Sequence, residues 1–432
     1  MTRGGVPAAR HGRQRRHGTL GPAVKAVAAV AAIGLVSVGS VAAIASWQVV
    51  RDAKPTVSLA MPGSHSSAAP QLTAATGEVN MLLVATDTRE GQGAGFDDAA
   101  NLRASSGVGH NDSNLLVHIS ADHTNMAVVS FPRDLVVPIP ACENDQGTVV
   151  PAVPAAMLNT ALGRGGEQHG LACVAKTIDQ LTGLQIGYAG MITFDGVVAM
   201  ADAVGGVEVC LATPIHDTDV TPALDLQAGD RKLSGAEAAA FLRSRYGVGD
   251  SSDLARISNQ QTFMAALARQ TVSARTLTDP GKVLRLATTA SKHMTLSDTL
   301  ADPTTLARLA LAVNSVGLAN MTFVQYPVVD DPTDPARVLV AEGPASALNA
   351  VLQQDQPVVL GAESLGRSAV RDPSAPPSGA PDGSAAPGGA TAPGGSAQGG
   401  SAQGGSAPPT SSPLPADVSG QSAATVTCAA KR

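Results

Sequence analysis

The stretch CVAKTIDQLTGLQIGYAGMITFDGVVAMADAVGGVEVCL, residues 173–211, switches its hydrophobic period from helix to strand and back again. Across 170–183 the apolar positions recur at helical spacing, and Gly183 stands where a helix C-cap needs a left-handed residue. YAGMITF (188–194) is a short β-type run, FDGVVAMADAVGG (194–206) returns to the helical period, and VEVCL (207–211) is strand again. Helices alternating with short strands predict an α/β sheet covered on both faces. Working outward, NMLLVA (80–85), NLLVHI (114–119) and NMAVVSF (125–131) read as strands before this block, and MTFVQYPVV (321–329) as one after it. SGAEAAAFL (234–242) opens with Ser234 and Glu237, a capping-box spacing. DLARISNQQTFMAALARQTV (253–272) is a long amphipathic helix.

The 432-residue chain carries a net charge of −6, and 15% of it is charged, which argues against general nucleic-acid binding. With 2% aromatics, the core must be built from Ala, Val, Leu and Ile. Five Arg and no acid occupy the first 16 residues. Residues 26–50 contain no charge and are long enough to cross a bilayer as a helix, with Trp47 near the far end where an interfacial aromatic belongs. The competing reading, a cleaved signal peptide, fits less well because the apolar stretch is long and no strong small-x-small site follows it. The expected order is a basic cytoplasmic tail (1–25), a single transmembrane signal anchor (26–50), a juxtamembrane linker (51–76) and an extracytoplasmic catalytic domain (77–361). A Gly/Ser/Pro/Ala-rich tail (362–432) closes the chain; it offers too little apolar surface to fold, with only ATVTCAAKR a weak candidate to dock as a strand. Four Cys suit an exported protein. Cys142 and Cys173 flank a loop and the start of a helix pattern and are the preferred disulfide, although four Cys allow three complete pairings.

The charged residues near the strand ends suggest chemistry. Asp87 follows the first strand, Asp112 precedes the second, and Arg133 and Asp134 follow the third; an antiparallel meander would bring all of them to one end of the sheet. The excursion from Arg89 to Asn111 is long for a structureless loop, a feature associated with function or disorder. Arg243 and Arg245 are two apart, so an extended segment would point them the same way. Arg256 and Gln260 are four apart and share a helix face. Three guanidinium groups converging on one concave surface need an anion between them, and Arg grips planar phosphate oxygens better than Lys does. Two nearby carboxylates could hold Mg²⁺ (or Mn²⁺) bridging the same phosphates. Plainer readings exist for each residue: solvated surface Arg, Arg245 paired with Asp250 or Asp253, Asp134 merely orienting Arg133, and His118 a packed or surface histidine.

The same residues carry a resemblance to the LytR-CpsA-Psr family of bacterial envelope proteins, over about Glu78 to Thr271. NMLLVATDTR (80–89) resembles the family's opening strand, HNDSNLLVHI (110–119) its Arg-x-Asp-Thr strand, and VVSFPRDLVVPIP (128–140) its Ser-Ile-Pro-Arg-Asp signature. MLNTAL (157–162), the block 173–211, LSGAEAAAFLRSRY (233–246) and DLARISNQQTFMAAL (253–267) follow in family order and spacing. The resemblance implies an α-β-α sandwich with a central mixed sheet enclosing an apolar lipid tunnel. It implies transfer of a glycopolymer, such as teichoic acid, from a polyprenyl-diphosphate carrier at the membrane onto peptidoglycan through a phosphodiester bond. Asp87 and Asp112 would bind Mg²⁺; Arg89, Arg133, Arg243, Arg245, Arg256 and Gln260 would hold the diphosphate; Arg133, Asp87 and Asp112 would be catalytic. Two departures stand out. His110 occupies the place of the motif's Arg, and Met157 that of a Lys or Arg, so two permanent cations are missing; an imidazole is not one near neutral pH. Asp230 stands where exported relatives often carry Cys, which leaves Cys428 as a substitute partner for Cys210. A binding protein that has lost turnover, and a polyprenyl-diphosphate pyrophosphatase using water as acceptor, are the competing functions.

Overall fold

A computed structural model of the chain describes residues 55–59, 76–89, 107–273, 276, 279–361, 364–372 and 413–431. The basic tail and the proposed anchor at 26–50 lie outside the described residues, among which no helix is long and apolar enough to cross a membrane.

The centre of the fold is a seven-stranded mixed sheet. Its strands are β1 (Val79–Thr86), β2 (Asn111–Ile119), β3 (Met126–Phe131), β4 (Tyr188–Ile192), β5 (Met294–Leu296), β6 (Met321–Gln325) and β7 (Gly420–Ser422). Their spatial order is β5-β4-β1-β2-β3-β6-β7. The expected meander is present: β2 is antiparallel to both β1 and β3, while β4 and β6 join in parallel on either side. Among the described residues seven helices accompany the strands: α1 (Ala161–Thr182), α2 (Phe194–Ala203), α3 (Gly235–Arg243), α4 (Asp253–Ser273), α5 (Pro280–His293), α6 (Pro303–Val316) and α7 (Glu342–Gln353). The helix ends are legible in the chain. Gly183 caps α1 at φ 73°, and Asp279 and Asp302 accept amide hydrogens at the starts of α5 and α6, each followed by Pro.

Strand alternation sorts the apolar residues onto two faces. Leu82, Val84, Leu116 and Val129 point toward α1 and α7 and are sealed, at 0–1% exposure. The opposite face meets α4 and α6, and it is looser. Met81, Leu83 and Leu115, in the middle of the sheet, are only partly buried there, as are Met264 and Met294. A second sheet, in the order 229–233, 207–211, 427–429, 369–371, packs on α3 and the other side of α4 through Phe241, Phe263 and Val209.

Several expectations change. The folded body does not end at residue 361. Residues 369–371, 420–422 and 427–429 are strands, and Cys210–Cys428 joins strand 427–429 to its neighbour 207–211. The composition around them is poor in apolar residues, but each strand only has to extend an existing sheet. Residues 373–412, the core of the low-complexity tail, lie outside the described residues. Cys142–Cys173 forms as expected. Part of the linker is docked: Val57 is 8% exposed and bridges Ser297, with its N–H donating to Leu296 and its C=O accepting from Asp298. Ser234 makes no side-chain cap; Gly235 at φ 51° makes the first turn of α3 irregular, and the entry is closed by Ala238 N–H on the Ser234 carbonyl. MTFVQYPVV breaks after Gln325, and 328–330 pairs instead with 338–340.

Candidate functional site

The functional residues gather at the end of the meander where β1 stops, β2 starts and β3 stops. Their approach is made by the backbone. In the β1–β2 ladder Ala85 faces Ser113 and Thr86 faces Asn111, so Asp112 is the extra residue of a β-bulge. Bulges re-aim a side chain, often beside an active site. The carbonyl of His110 accepts from the amides of both Asp87 and Asp112, each at 3.1 Å, which draws the two aspartates together. The His110 amide in turn donates to Asp87 Oδ1 at 2.6 Å. Gly109 makes this possible. It sits at φ 72°, and a Cβ there would fall 2.6–2.7 Å from Thr88 N, Asp87 Oδ1 and Thr86 Oγ1.

Arg133 donates to Asp112 Oδ2 at 2.8 Å and lies 3.3 Å from Asp253 and 3.6 Å from Asp134. Arg256, on the first turn of α4, is 8% exposed; it pairs with Asp253 at 2.7 Å and donates to the Asp112 carbonyl at 3.0 Å. Asp253 therefore pins two of the arginines. The sequence offered it only as a possible partner of Arg245. Gln260, one turn later, reaches the same place, but its amide is engaged: Nε2 donates to the Leu242 carbonyl at 2.9 Å and Oε1 accepts from Ser113 at 3.4 Å. The carbonyl near the C-terminus of α3 needs a donor, and Gln260 supplies it, so this side chain ties α3 and β2 to α4.

Arg243 is not in an extended segment. It is the last residue of α3, and its guanidinium lies 4.1 Å from the ring centroid of Phe194 at the start of α2. Arg245 follows the helix end at Ser244, stacks on Tyr246 at 4.9 Å, and borders a cavity of about 670 Å³ with Arg133, Asp134, Met157, Asp253 and Arg367. The two arginines thus reach the site from different sides of the α3 terminus. Met157 places a thioether in this wall, where the family resemblance implies a cation.

The electrostatics show like charges held together. Burial raises the Asp112 carboxyl above the usual range; Arg133 and Arg256 oppose the shift and neighbouring Asp87 adds to it. Burial also lowers the Arg243 guanidinium, with Arg89 and Arg256 pushing the same way. For Arg133, burial works against the charge, but Asp112, Asp253 and Asp134 outweigh it and hold the group above its ordinary value. Asp134 is raised, first by burial and then by Asp253. Crowded arginines gain from an interposed anion, and the Asp87–Asp112 pair gains from a hard cation. The two carboxylates are each about a quarter exposed and are the oxygen donors that could hold Mg²⁺.

The family model for LytR_cpsA_psr matches residues 46–355. Among curated proteins, the chain is 31% identical over 239 residues to the probable cell wall biosynthesis protein LcpB of Corynebacterium glutamicum, covering 55% of this chain and 52% of that one. It is 26% identical over 206 residues to the polyisoprenyl-teichoic acid–peptidoglycan teichoic acid transferase TagU of Oceanobacillus iheyensis, covering 48% of this chain and 55% of that one. The chain thus spans about half the length of these relatives. Among solved structures, a LytR-Csp2A-Psr enzyme from Actinomyces oris superposes with a TM-score of 0.47 at 21% identity, over 69% of this chain and 96% of that one. The match across residues 46–355 covers the meander, the bulge and every arginine of the site, and the chain belongs to the LytR-CpsA-Psr family.

Proposed function

We propose that the chain is a membrane-anchored phosphotransferase that moves a glycopolymer from a polyprenyl-diphosphate carrier onto peptidoglycan. The observation that carries this reading is the joining, at one sheet end, of an aspartate pair with a group of arginines, of which Arg256 is buried and Arg89, Arg133, Arg243 and Arg245 are partly exposed. The family name and the relatives named for wall biosynthesis and teichoic acid transfer support it. In this scheme Arg89, Arg243, Arg245 and Arg256 surround the diphosphate, and Arg133, steered by Asp112 and Asp253, contacts the phosphoryl group in transfer. Asp87 and Asp112 would hold Mg²⁺, which when bound would neutralise phosphate charge. An acceptor hydroxyl oxygen attacks the sugar-linked phosphorus, the P–O–P bridge breaks, and polyprenyl phosphate leaves with the bond's electron pair. The arginines stabilise the charge that accumulates on that leaving group. In this reading a carboxylate oxygen of Asp87 or Asp112 takes the hydroxyl proton.

The loosely covered sheet face supports a lipid path. Side chains in the middle of a seven-stranded sheet are sealed when helices pack directly on them, as Leu82 and Leu116 are. Met81, Leu83 and Leu115 retain accessible surface between the sheet and α4. This face leads along β1 and β2 to Asp87 and Asp112, so a polyprenyl tail lying there would present its diphosphate to the arginines. The extracytoplasmic location and the anchor at residues 26–50 belong to the same proposal.

Incubating the full chain in detergent with Mg²⁺, a polyprenyl-diphosphate oligosaccharide and peptidoglycan fragments tests it by mass spectrometry. A sugar-phosphate adduct on the glycan is the expected product. Free sugar phosphate without an adduct would make the protein a pyrophosphatase, and donor binding without turnover would make it a binding protein.

A further inference from the structure

The opposite end of the same sheet holds a second group of metal-ligating side chains. Glu78, immediately before β1, His118 on β2 and Asp355, just after α7, bring one ligand atom each within 4.8 Å of one another. His118 is fully buried on the face covered by α1 and α7, and its Nε2 lies 3.2 Å from Asp355 Oδ1.

The hydrogen bonds around His118 fix which nitrogen carries the proton. Asn80 Nδ2 donates to Glu78 Oε1 at 2.7 Å, and a carboxylate oxygen can only accept, so the Asn80 carbonyl must be the end that faces His118. That carbonyl oxygen is 2.8 Å from His118 Nδ1, which therefore bears the hydrogen. In its neutral form such a ring has a bare lone pair at Nε2, the nitrogen that faces Asp355. Neither Nε2 nor Asp355 Oδ1 has a hydrogen-bond partner among the described residues. Two acceptors 3.2 Å apart repel unless a proton or a cation lies between them. Two donors each about 2.0–2.1 Å from one tetrahedral ion are separated by about 3.3–3.4 Å. A metal-bound imidazole usually donates its distal N–H to a carboxylate, a backbone carbonyl or water, and here the Asn80 side-chain carbonyl fills that role.

Asp355 is itself held in place. Its backbone is left-handed at φ 55°, its carbonyl accepts from Asn125 at 3.0 Å, and its Oδ2 accepts from the Ala121 amide at 3.3 Å. The β2–β3 hairpin thus aims Oδ1 at the imidazole. Asp355 is partly exposed, which leaves an entry path for an ion and room for a water ligand.

We propose that Glu78, His118 and Asp355 bind a divalent transition ion of the Zn²⁺ class, separate from any Mg²⁺ at Asp87 and Asp112. One imidazole nitrogen with two carboxylates suits Zn²⁺ better than Mg²⁺, which takes oxygen ligands. Six residues of β2 separate Asp112 from His118, about 20 Å along the strand. The ion would clamp the start of β1 and the end of β2 to the segment after α7.

The test titrates the full chain, stripped of metal, with Zn²⁺ alone and reads binding by calorimetry, coordination by X-ray absorption and stability by thermal melting. The expected result is one ion per chain with an imidazole nitrogen and oxygens at about 2.0–2.1 Å, unaffected by a large excess of Mg²⁺. Asp355→Asn and Glu78→Gln should each weaken binding at least tenfold and abolish the Zn²⁺-induced rise in Tm; Asn tolerates the left-handed backbone, so Asp355→Asn should still fold. Asp87→Asn should bind Zn²⁺ as the unaltered chain does. Oxygen-only coordination, equal binding by Asp355→Asn, or loss of binding in Asp87→Asn would overturn the proposal. His118 and Asp355 would then be an ion pair only.

Discussion

The two ends of β2 treat charge in opposite ways. At the Asp112 end, several arginines and aspartates crowd together, with Arg133 and Arg256 tied to Asp112 and Asp253, and like charges shift one another's protonation. At the His118 end, one imidazole is buried and oriented by a single amide, with carboxylates at its rim. In the proposals above, an incoming phosphate would compensate charge at the first end, and at the second one ring nitrogen faces one carboxylate oxygen. Substitutions at the first end should therefore change turnover, and those at the second should change stability or ion binding.

The largest effect should come from Arg133→Ala. Removing a donor aimed at transition-state charge costs about 10²–10³ in kcat. Steady-state transfer should show that loss with little change in Tm, because Arg133 is partly solvated; a large fall in Tm would make it a fold residue and collapse the distinction. Asp112→Asn should lose activity and raise the Mg²⁺ concentration needed for half-maximal rate, while Asp355→Asn should leave both unchanged. Equal effects from these two variants would erase the difference between the ends.

A smaller, pH-dependent effect belongs to the His118 end. Asp179, near the C-terminus of α1 and bonded to the Ile186 amide ahead of β4, is pushed by burial to about 6. Its folded-state pKa lies above the unfolded one, so the neutral form favours the fold. That contribution is full below about pH 4 and is lost as pH rises through about 6. Asp179→Asn keeps an acceptor for Ile186 and should be more stable than the parent by on the order of 2 kcal/mol at pH 8, with the gap closing toward pH 4. Thermal melts at both pH values check the sign; a gap that widens on acidification would contradict it. Least of all, His110→Arg restores a permanent cation beside Asp87 and should tighten donor binding a few-fold, about 1 kcal/mol for a partly exposed charge. Unchanged or weaker binding would mean that the site is tuned to the imidazole.

Much of this contrast was legible in the residues. The short apolar runs at 80–85, 114–119 and 125–131, taken as an antiparallel meander, place Asp87, Asp112 and Arg133 at one sheet end. Other parts depended on long-range packing. The bulge that re-aims Asp112 is a one-residue slip in register, invisible in a strand that still alternates. Asp253 pairs with Arg133, far from it in sequence, and no local spacing announces that. Arg243 and Arg245 read as one extended pair because the end of α3 falls between them, and helix ends are poorly fixed by sequence. Strand 427–429 falls within ATVTCAAKR, the segment read as a weak strand candidate, but 369–371 and 420–422 carry no such signal, because short segments in Gly- and Ser-rich surroundings gain order only from the sheet they join. His118 read as an ordinary packed histidine; its partner Asp355 lies 237 positions away.

The most direct test of the transfer reading follows phosphorus. The full chain, Mg²⁺, a polyprenyl-diphosphate oligosaccharide and peptidoglycan fragments are monitored by ³¹P NMR, with Arg133→Ala alongside. The account predicts that the diphosphate signals decay into equal amounts of a phosphodiester on the glycan and polyprenyl phosphate, and that both products nearly vanish in the variant. Diphosphate decay without a phosphodiester, or equal rates for the two proteins, would contradict it.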